Sequence, residues 1–76
     1  MPNRVFNWTY TDIVRVLKDN GFTLNHVEGS HHYYVGSVDG RMRQVCVAYH
    51  GKTSFKPRTF KGIMLQSGLS KEAWEL

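Results

Sequence analysis

His31-His32-Tyr33-Tyr34-Val35-Gly36-Ser37-Val38-Asp39-Gly40-Arg41-Met42-Arg43-Gln44-Val45-Cys46-Val47-Ala48-Tyr49 is the stretch that decides the fold. Two runs rich in aromatic and β-branched residues flank Asp39-Gly40. Such residues suit a pleated, half-buried surface. Asp-Gly between them marks a hairpin, because a type I′ turn needs positive φ at both central positions. A two-residue loop also sets the register. Val38 then faces Arg41, Tyr34 faces Val45, His32 faces Val47, Tyr33 faces Cys46, His31 faces Ala48 and Gly29 faces His50. Side chains alternate across a strand, so the adjacent imidazoles part. Tyr34, Val45, Val47 and Tyr49 form the core side, shared with His32. His31, Tyr33 and His50 share the open side, with His31 and His50 as diagonal neighbours roughly 7–8 Å apart at the backbone.

Upstream, Glu28-Gly29-Ser30 separates this hairpin from a short extended segment, Thr23 to Val27. Before that segment, Tyr10, Ile13, Val14 and Leu17 recur at i, i+3, i+4, i+7, which is one apolar stripe of a helix. Thr9 and Asp12 are spaced to answer free N–H groups at its start. Asn20-Gly21 ends it, and Phe22 folds back on its last turn. In residues 1–8, which show no period, Phe6 and Trp8 are the groups able to pack on the body.

Downstream, residues 51–56 form a polar basic loop, and Pro57 suits the first turn of a helix. Phe60, Ile63 and Met64, with Leu65 beside them, supply its apolar face, and Gly68 stops it. Ser70 is spaced to cap a last short helix, Lys71 to Leu76, anchored by Trp74. The expected fold is α+β: one domain spanning 1–76 in the order α-β-β-β-α, with a short helical tail.

The composition narrows the function. With 41% hydrophobic residues the 76-residue chain is globular, though its single core is small. No apolar run approaches the ~20 residues that cross a bilayer, and the first residues do not read as a secretory signal. The lone cysteine, Cys46, forms no internal disulfide, which suits a reducing cytoplasm. Net charge is +4, and six of the ten basic residues fall between Arg41 and Lys61, while no Asp or Glu occurs from Gly40 through Ser70. A one-sign stretch of this kind meets a polyanion, or is simply a solvated face.

The groups able to do chemistry are few. Histidine titrates near neutrality and serves as general base or acid. RNA cleavage needs one group to take the 2′-OH proton, another to protonate the leaving 5′-oxygen, and positive charge for the phosphorane. His31 and His32 can supply the first kind, and the basic stretch the last. The ordinary alternative is that strand histidines fill a half-buried sheet. A zinc site is not expected: His26, His31, His32 and His50 show no ligand frame. Cys46, mid-strand, reads as a small hydrophobe rather than a nucleophile. Tyr33 is the best candidate to stack on a base.

Several motifs occur together: Asp12-Ile13-Val14, Leu17-Lys18, Gly21-Phe22, Gly29-Ser30-His31-His32-x-Tyr34, Val47-Ala48-Tyr49-His50-Gly51, and Thr59-Phe60-Lys61-x-Ile63-Met64-x-Gln66-x-Gly68-Leu69-Ser70. Over roughly residues 10–75 the chain resembles the HicA family, small toxins of HicAB toxin–antitoxin modules. The resemblance implies a fold like the double-stranded-RNA-binding domain: a three-stranded antiparallel sheet with helices on one face. It implies a ribosome-independent mRNA endonuclease that needs no cofactor, and a HicB-type antitoxin that masks the site. It places the functional histidine directly after Gly-Ser, at His31. On register grounds alone, His50 is the candidate for a second acid–base group, and Ser30 for assistance at the phosphate. Gly29, Tyr33, Lys52, Lys56, Arg58 and Lys61 would contact the mRNA. Ala48 replaces the proline that usually precedes the family's last strand histidine, and the loop Lys52–Arg58 departs from the usual pattern. A non-catalytic RNA-binding module of the same fold is the alternative.

Overall fold

The computed structural model describes residues 7–75. Phe6 and Leu76 lie outside that range. Helix α1 (Tyr10–Asp19) leads into strands β1 (Thr23–Glu28), β2 (His31–Val38) and β3 (Arg41–Ala48), followed by helix α2 (Pro57–Ser67) and a 3-10 helix (Lys71–Trp74). The sheet is antiparallel in the order β1-β2-β3. The expected α-β-β-β-α layout is the observed one.

Local chemistry places the ends of α1. The Thr9 N–H donates to Asp12 Oδ2 at 3.1 Å, and the Asp12 N–H donates to Thr9 Oγ1 at 3.3 Å. This reciprocal pair is a capping box. At the other end Gly21 N–H reaches Lys18 O at 3.1 Å and Phe22 N–H reaches Leu17 O at 2.9 Å. That pattern is a Schellman motif. It turns the Phe22 ring into the core, where it lies against β2 at Gly36. A Cβ on Gly36 would stand 2.8 Å from the Phe22 ring, so only glycine leaves room there.

The β2–β3 hairpin has the expected two-residue loop. Asp39 and Gly40 take φ of 52° and 78°, and the partners run from Val38↔Arg41 to His31↔Ala48 as read from the sequence. β1 differs from a plain strand: its register shifts between Leu24 and His26. That bulge leaves Asn25 as the extra residue. Every β1 side chain is exposed, so the core lies beneath β2 and β3.

Tyr34, Val45 and Val47 meet Ile13, Val16 and Leu17 of α1 and Phe60 and Ile63 of α2 in one cluster. Trp8 closes its end. It stacks on Phe60 (4.7 Å between centroids, 14° between planes), meets Trp74 edge-on at 5.6 Å, and its carbonyl holds the Phe55 N–H at 2.7 Å. Together these contacts tie the loop before α2 to the start of the chain.

The motif at the end of α2 has structural work. Gln66 Oε1 accepts the Cys46 N–H at 3.1 Å on the outer edge of β3, so an unpaired edge donor is satisfied by a helix side chain. Buried Ser67 donates to Met64 O at 2.6 Å and accepts from Leu69 N–H at 3.1 Å. The Arg43 guanidinium packs on Gly68, its Nε 2.7 Å from where a Cβ would be.

Four local expectations are corrected. Tyr49 is half exposed rather than core, because the apolar cover of the sheet ends at Val47. Its N–H still extends the ladder to Ser30 O at 2.7 Å. Leu65 is exposed, since it lies two residues past Ile63 and each residue turns the helix by about 100°. Ser70 makes no side-chain cap; the four-residue 3-10 helix uses Ala73 N–H to Ser70 O instead. That helix stops at Trp74, where Glu75 takes a φ of 60°, rather than running on toward Leu76.

Candidate functional site

The turn Gly29-Ser30 joins β1 to β2 and delivers His31 and His32 to opposite faces. His31 is exposed, paired with Glu28 on β1 and Ala48 on β3. Its ring has no hydrogen bond or ring contact among the described residues. The pairing puts Thr23, His26, Glu28, Tyr33, Val35, Ser37, Met42, Gln44 and Cys46 on the same face. None of these strand residues is Lys or Arg, so this face offers phosphate no fixed cation from the sheet.

On that face Tyr33 stacks on His26, 4.4 Å between centroids and 9° between planes. His26 Nε2 in turn lies 3.8 Å from Glu28 Oε2. One face of the Tyr33 ring is therefore covered, and one remains for a base. Cys46, opposite on β3, pushes the Tyr33 phenol above its ordinary range, first through charge, with desolvation and a hydrogen bond to the thiol adding to it.

His50 lies past the end of β3, outside the ladder expected to carry it to the open side opposite Gly29, because the pairing ends at Ala48. Its carbonyl accepts the Thr53 N–H at 3.3 Å, and its ring rests 5.9 Å from Phe55. With Thr53, Ser54, Phe55, Lys56 and Thr59 it lines a cleft at the start of α2. Lys56 is the N-cap of α2, with no side-chain cap bond, and Pro57 follows. The free N–H groups of that first turn attract anions. Lys52, Lys56, Arg58 and Lys61 are all exposed, and none forms an ion pair among the described residues. Ser30 is exposed as well, and among the described residues only its carbonyl is engaged.

His32 carries the most ordered polar cluster. Its Nδ1 lies 2.7 Å from the Tyr10 hydroxyl, which also lies 2.7 Å from the Tyr34 hydroxyl. The Tyr49 ring stacks on His32 at 5.6 Å and 15°, and meets Tyr10 edge-on at 5.0 Å. His32 is half-buried, and its Nε2 has no protein partner among the described residues. Burial, then the hydrogen bond to Tyr34, pushes the Tyr10 phenol well above its ordinary value, so this hydroxyl keeps its proton. The sequence reading took Tyr10 only as part of an apolar stripe. The available signal was chemical: a tyrosine in a core stripe needs a partner for its hydroxyl.

The expected residues thus fall into three places. His31, Tyr33 and Gly29 belong to the open face and its turn. His50 and Lys56 meet at the α2 cleft. His32, expected on the core side of the sheet, joins three tyrosines on the helix side. Among the described residues no group of three or more His, Cys, Asp or Glu is arranged for a metal ion, and no helix is long and apolar enough to cross a membrane.

These features define a small basic α-β-β-β-α domain with imidazoles on both faces at one end of its sheet. Residues 10–69 match the family model described as the HicA toxin of bacterial toxin-antitoxin. The chain belongs to the HicA toxin family, whose members are the toxins of modules that also supply a cognate antitoxin. No curated protein matches it.

Proposed function

We propose that this toxin is a ribosome-independent mRNA endoribonuclease, active in the cytoplasm and neutralised by a HicB-type antitoxin. The observation that carries the reading is the cleft at the start of α2. There His50, Lys56 and the hydroxyl-bearing Thr53, Ser54 and Thr59 line one depression, beside a helix end whose N–H groups have no side-chain cap. Such a cleft suits an RNA phosphate. Lys52, Arg58 and Lys61 extend the positive field around it for neighbouring phosphates.

In this reading His31 is the acid–base group, placed by the Gly29-Ser30 turn, and the free face of Tyr33 stacks a base next to the scissile bond. His50 serves as the second proton-transfer group, and Ser30 donates to a phosphate oxygen. Two acid–base groups and a cationic cradle are the complement that 2′-OH attack requires.

A second reading is favoured by one observation. His32, not His31, is held by a hydrogen bond and a stacked ring, and α2 with Arg58 and Lys61 packs on its side of the sheet. An oriented imidazole on the side that bears the cations is the better-built group to act on the phosphate. In this reading His31 only shapes the surface.

Incubating labelled single-stranded RNA with the protein in EDTA tests the function, with His31→Ala and His32→Gln run beside the wild type and folding followed by circular dichroism. Cleavage lost only in folded His31→Ala supports the first assignment. Cleavage lost only in folded His32→Gln supports the second. A salt-dependent mobility shift with intact RNA refutes the enzyme and leaves an RNA-binding module.

A further inference from the structure

We propose that Tyr10 and Tyr34 are positioning residues that hold neutral His32 as the Nε2–H tautomer, so that His32 meets RNA as a hydrogen-bond donor. The proposal rests on the second reading above, in which His32 takes part in cleavage.

The argument is an accounting of hydrogens. Tyr34 is 3% exposed, and its hydroxyl has one partner among the described residues, the Tyr10 oxygen at 2.7 Å. A buried hydroxyl that gives its proton to nothing carries an uncompensated desolvation penalty. The Tyr34 proton therefore goes to the Tyr10 oxygen. The Tyr10 proton cannot then point back along the same contact. Its other partner is His32 Nδ1, also at 2.7 Å. Tyr10 donates, Nδ1 accepts, and the imidazole proton must be on Nε2.

The reverse chain fails one bond. If Nδ1–H donates to Tyr10 and Tyr10 donates to Tyr34, the Tyr34 proton has no acceptor. If Nδ1–H and Tyr34 both donate to the Tyr10 oxygen, the Tyr10 proton is left over. Only the first arrangement satisfies every proton in the chain. The rings hold the geometry. Tyr49 lies parallel to the imidazole, and Tyr10 meets both rings edge-on, at 5.2 Å from His32 and 5.0 Å from Tyr49. A half-turn of the His32 ring about Cβ–Cγ would keep the stack on Tyr49 but replace Nδ1 by a carbon and lose the Tyr10 bond.

The consequence is a division of labour. With Nδ1 occupied, Nε2–H is a hydrogen-bond donor for a phosphate oxygen, where negative charge builds in the phosphorane; a neutral imidazole stabilises that charge without giving up the proton. Taking the 2′-OH proton falls to another group, for which His50 at the α2 cleft is the candidate.

Long-range proton–nitrogen correlation on protein labelled with nitrogen-15 reads the tautomer of His32 directly in the free protein. Wild type is expected to show Nε2 protonated and Nδ1 bare. Tyr10→Phe, which keeps the ring and removes only the hydroxyl, is expected to give a mixture of tautomers. It should also lower kcat about tenfold or more with KM within about twofold, since one placed donor to developing negative charge contributes roughly 10²–10³. Tyr34→Phe should give a smaller loss in the same direction. Nδ1–H in the wild type overturns the proposal. So does Tyr10→Phe with unchanged kcat while folded His32→Gln is dead. A fully active His32→Gln removes the second reading itself, and the tautomer spectrum then separates that failure from an error in the proton accounting.

Discussion

Replacing Gly36 with alanine is expected to destabilise the fold, although glycine-to-alanine changes in ordinary backbone usually help. Gly36 does not take a positive φ, so alanine meets no backbone strain there. Restricting the unfolded chain alone would stabilise by about 0.4–1 kcal/mol. Against this, the new Cβ would lie 2.8 Å from two atoms of the Phe22 ring and 3.0 Å from a third. The ring cannot swing away freely. Phe22 is 1% exposed, and its N–H is bonded to Leu17 O at 2.9 Å. Overpacking of this kind costs about 1–3 kcal/mol, so the net loss is roughly 1–2 kcal/mol. For a domain of this size that corresponds to a fall in Tm of roughly 4–16 °C. Thermal and urea melts followed by circular dichroism measure it. Phe22→Leu introduced beside Gly36→Ala should recover part of the loss, with a coupling of about 0.5 kcal/mol or more. A Gly36→Ala protein that melts at or above the wild-type temperature, with additive double-mutant energies, would refute the reasoning.

Gly62 supplies the opposite case: it lies inside α2 with nothing within 4 Å of its added Cβ, so Gly62→Ala should raise stability by about 0.5–1 kcal/mol in the same melts. Thr9→Ala removes one half of the capping box and should lower stability by about 1 kcal/mol, with helix fraying visible as faster amide exchange in the first turn of α1. Tyr10 has a folded-state pKa raised above its ordinary 10.0, mainly by burial. Its contribution is therefore complete below about pH 10, where the unfolded phenol still holds its proton, and falls as pH rises toward the folded value. Stability measured between pH 9 and 11 should decline less steeply in Tyr10→Phe than in the wild type.

The hairpin was legible because its information is local. Asp39-Gly40 dictates the turn, the turn dictates the register, and the register alone sends His31 and His32 to opposite faces. The α1 limits were legible for the same reason, since Thr9, Asp12 and Gly21 act within one turn of the helix. What the sequence did not reveal depends on where elements end in space. Tyr49 has the right parity for the core, but the apolar cover stops one pair short of it. The β1 bulge at Asn25 has no glycine or proline to announce it. Leu65 belongs to a run of three apolar residues that no single helix face can hold. The candidate site divides in the same way. Its residue types were readable, while the contacts of His32 with Tyr10 and Tyr49 join positions 22 and 17 residues apart in the chain. Those contacts required the packed helix.

Strand parity gives the adjacent histidines unequal surroundings, and this bears on how the site works. His31 shares its face with Glu28, His26 and Tyr33, where the strand residues carry no cation and one carboxylate. A phosphate brought to His31 must therefore draw its positive charge from beyond the sheet, around the end of β3. His32 lies on the face against which α2 packs. Its neighbour across the ladder is Val47, Tyr49 follows two residues on, and His50 leads into the loop that ends at the uncapped start of α2. Electrostatic stabilisation weakens with distance and more steeply in salt. In the proposed endoribonuclease, separating the acid–base group from its cations would weaken each turnover. Under the proposed function, the same substitutions that distinguish the two histidines in cleavage would also report which face of the sheet the RNA occupies, and hence which face an antitoxin would have to cover.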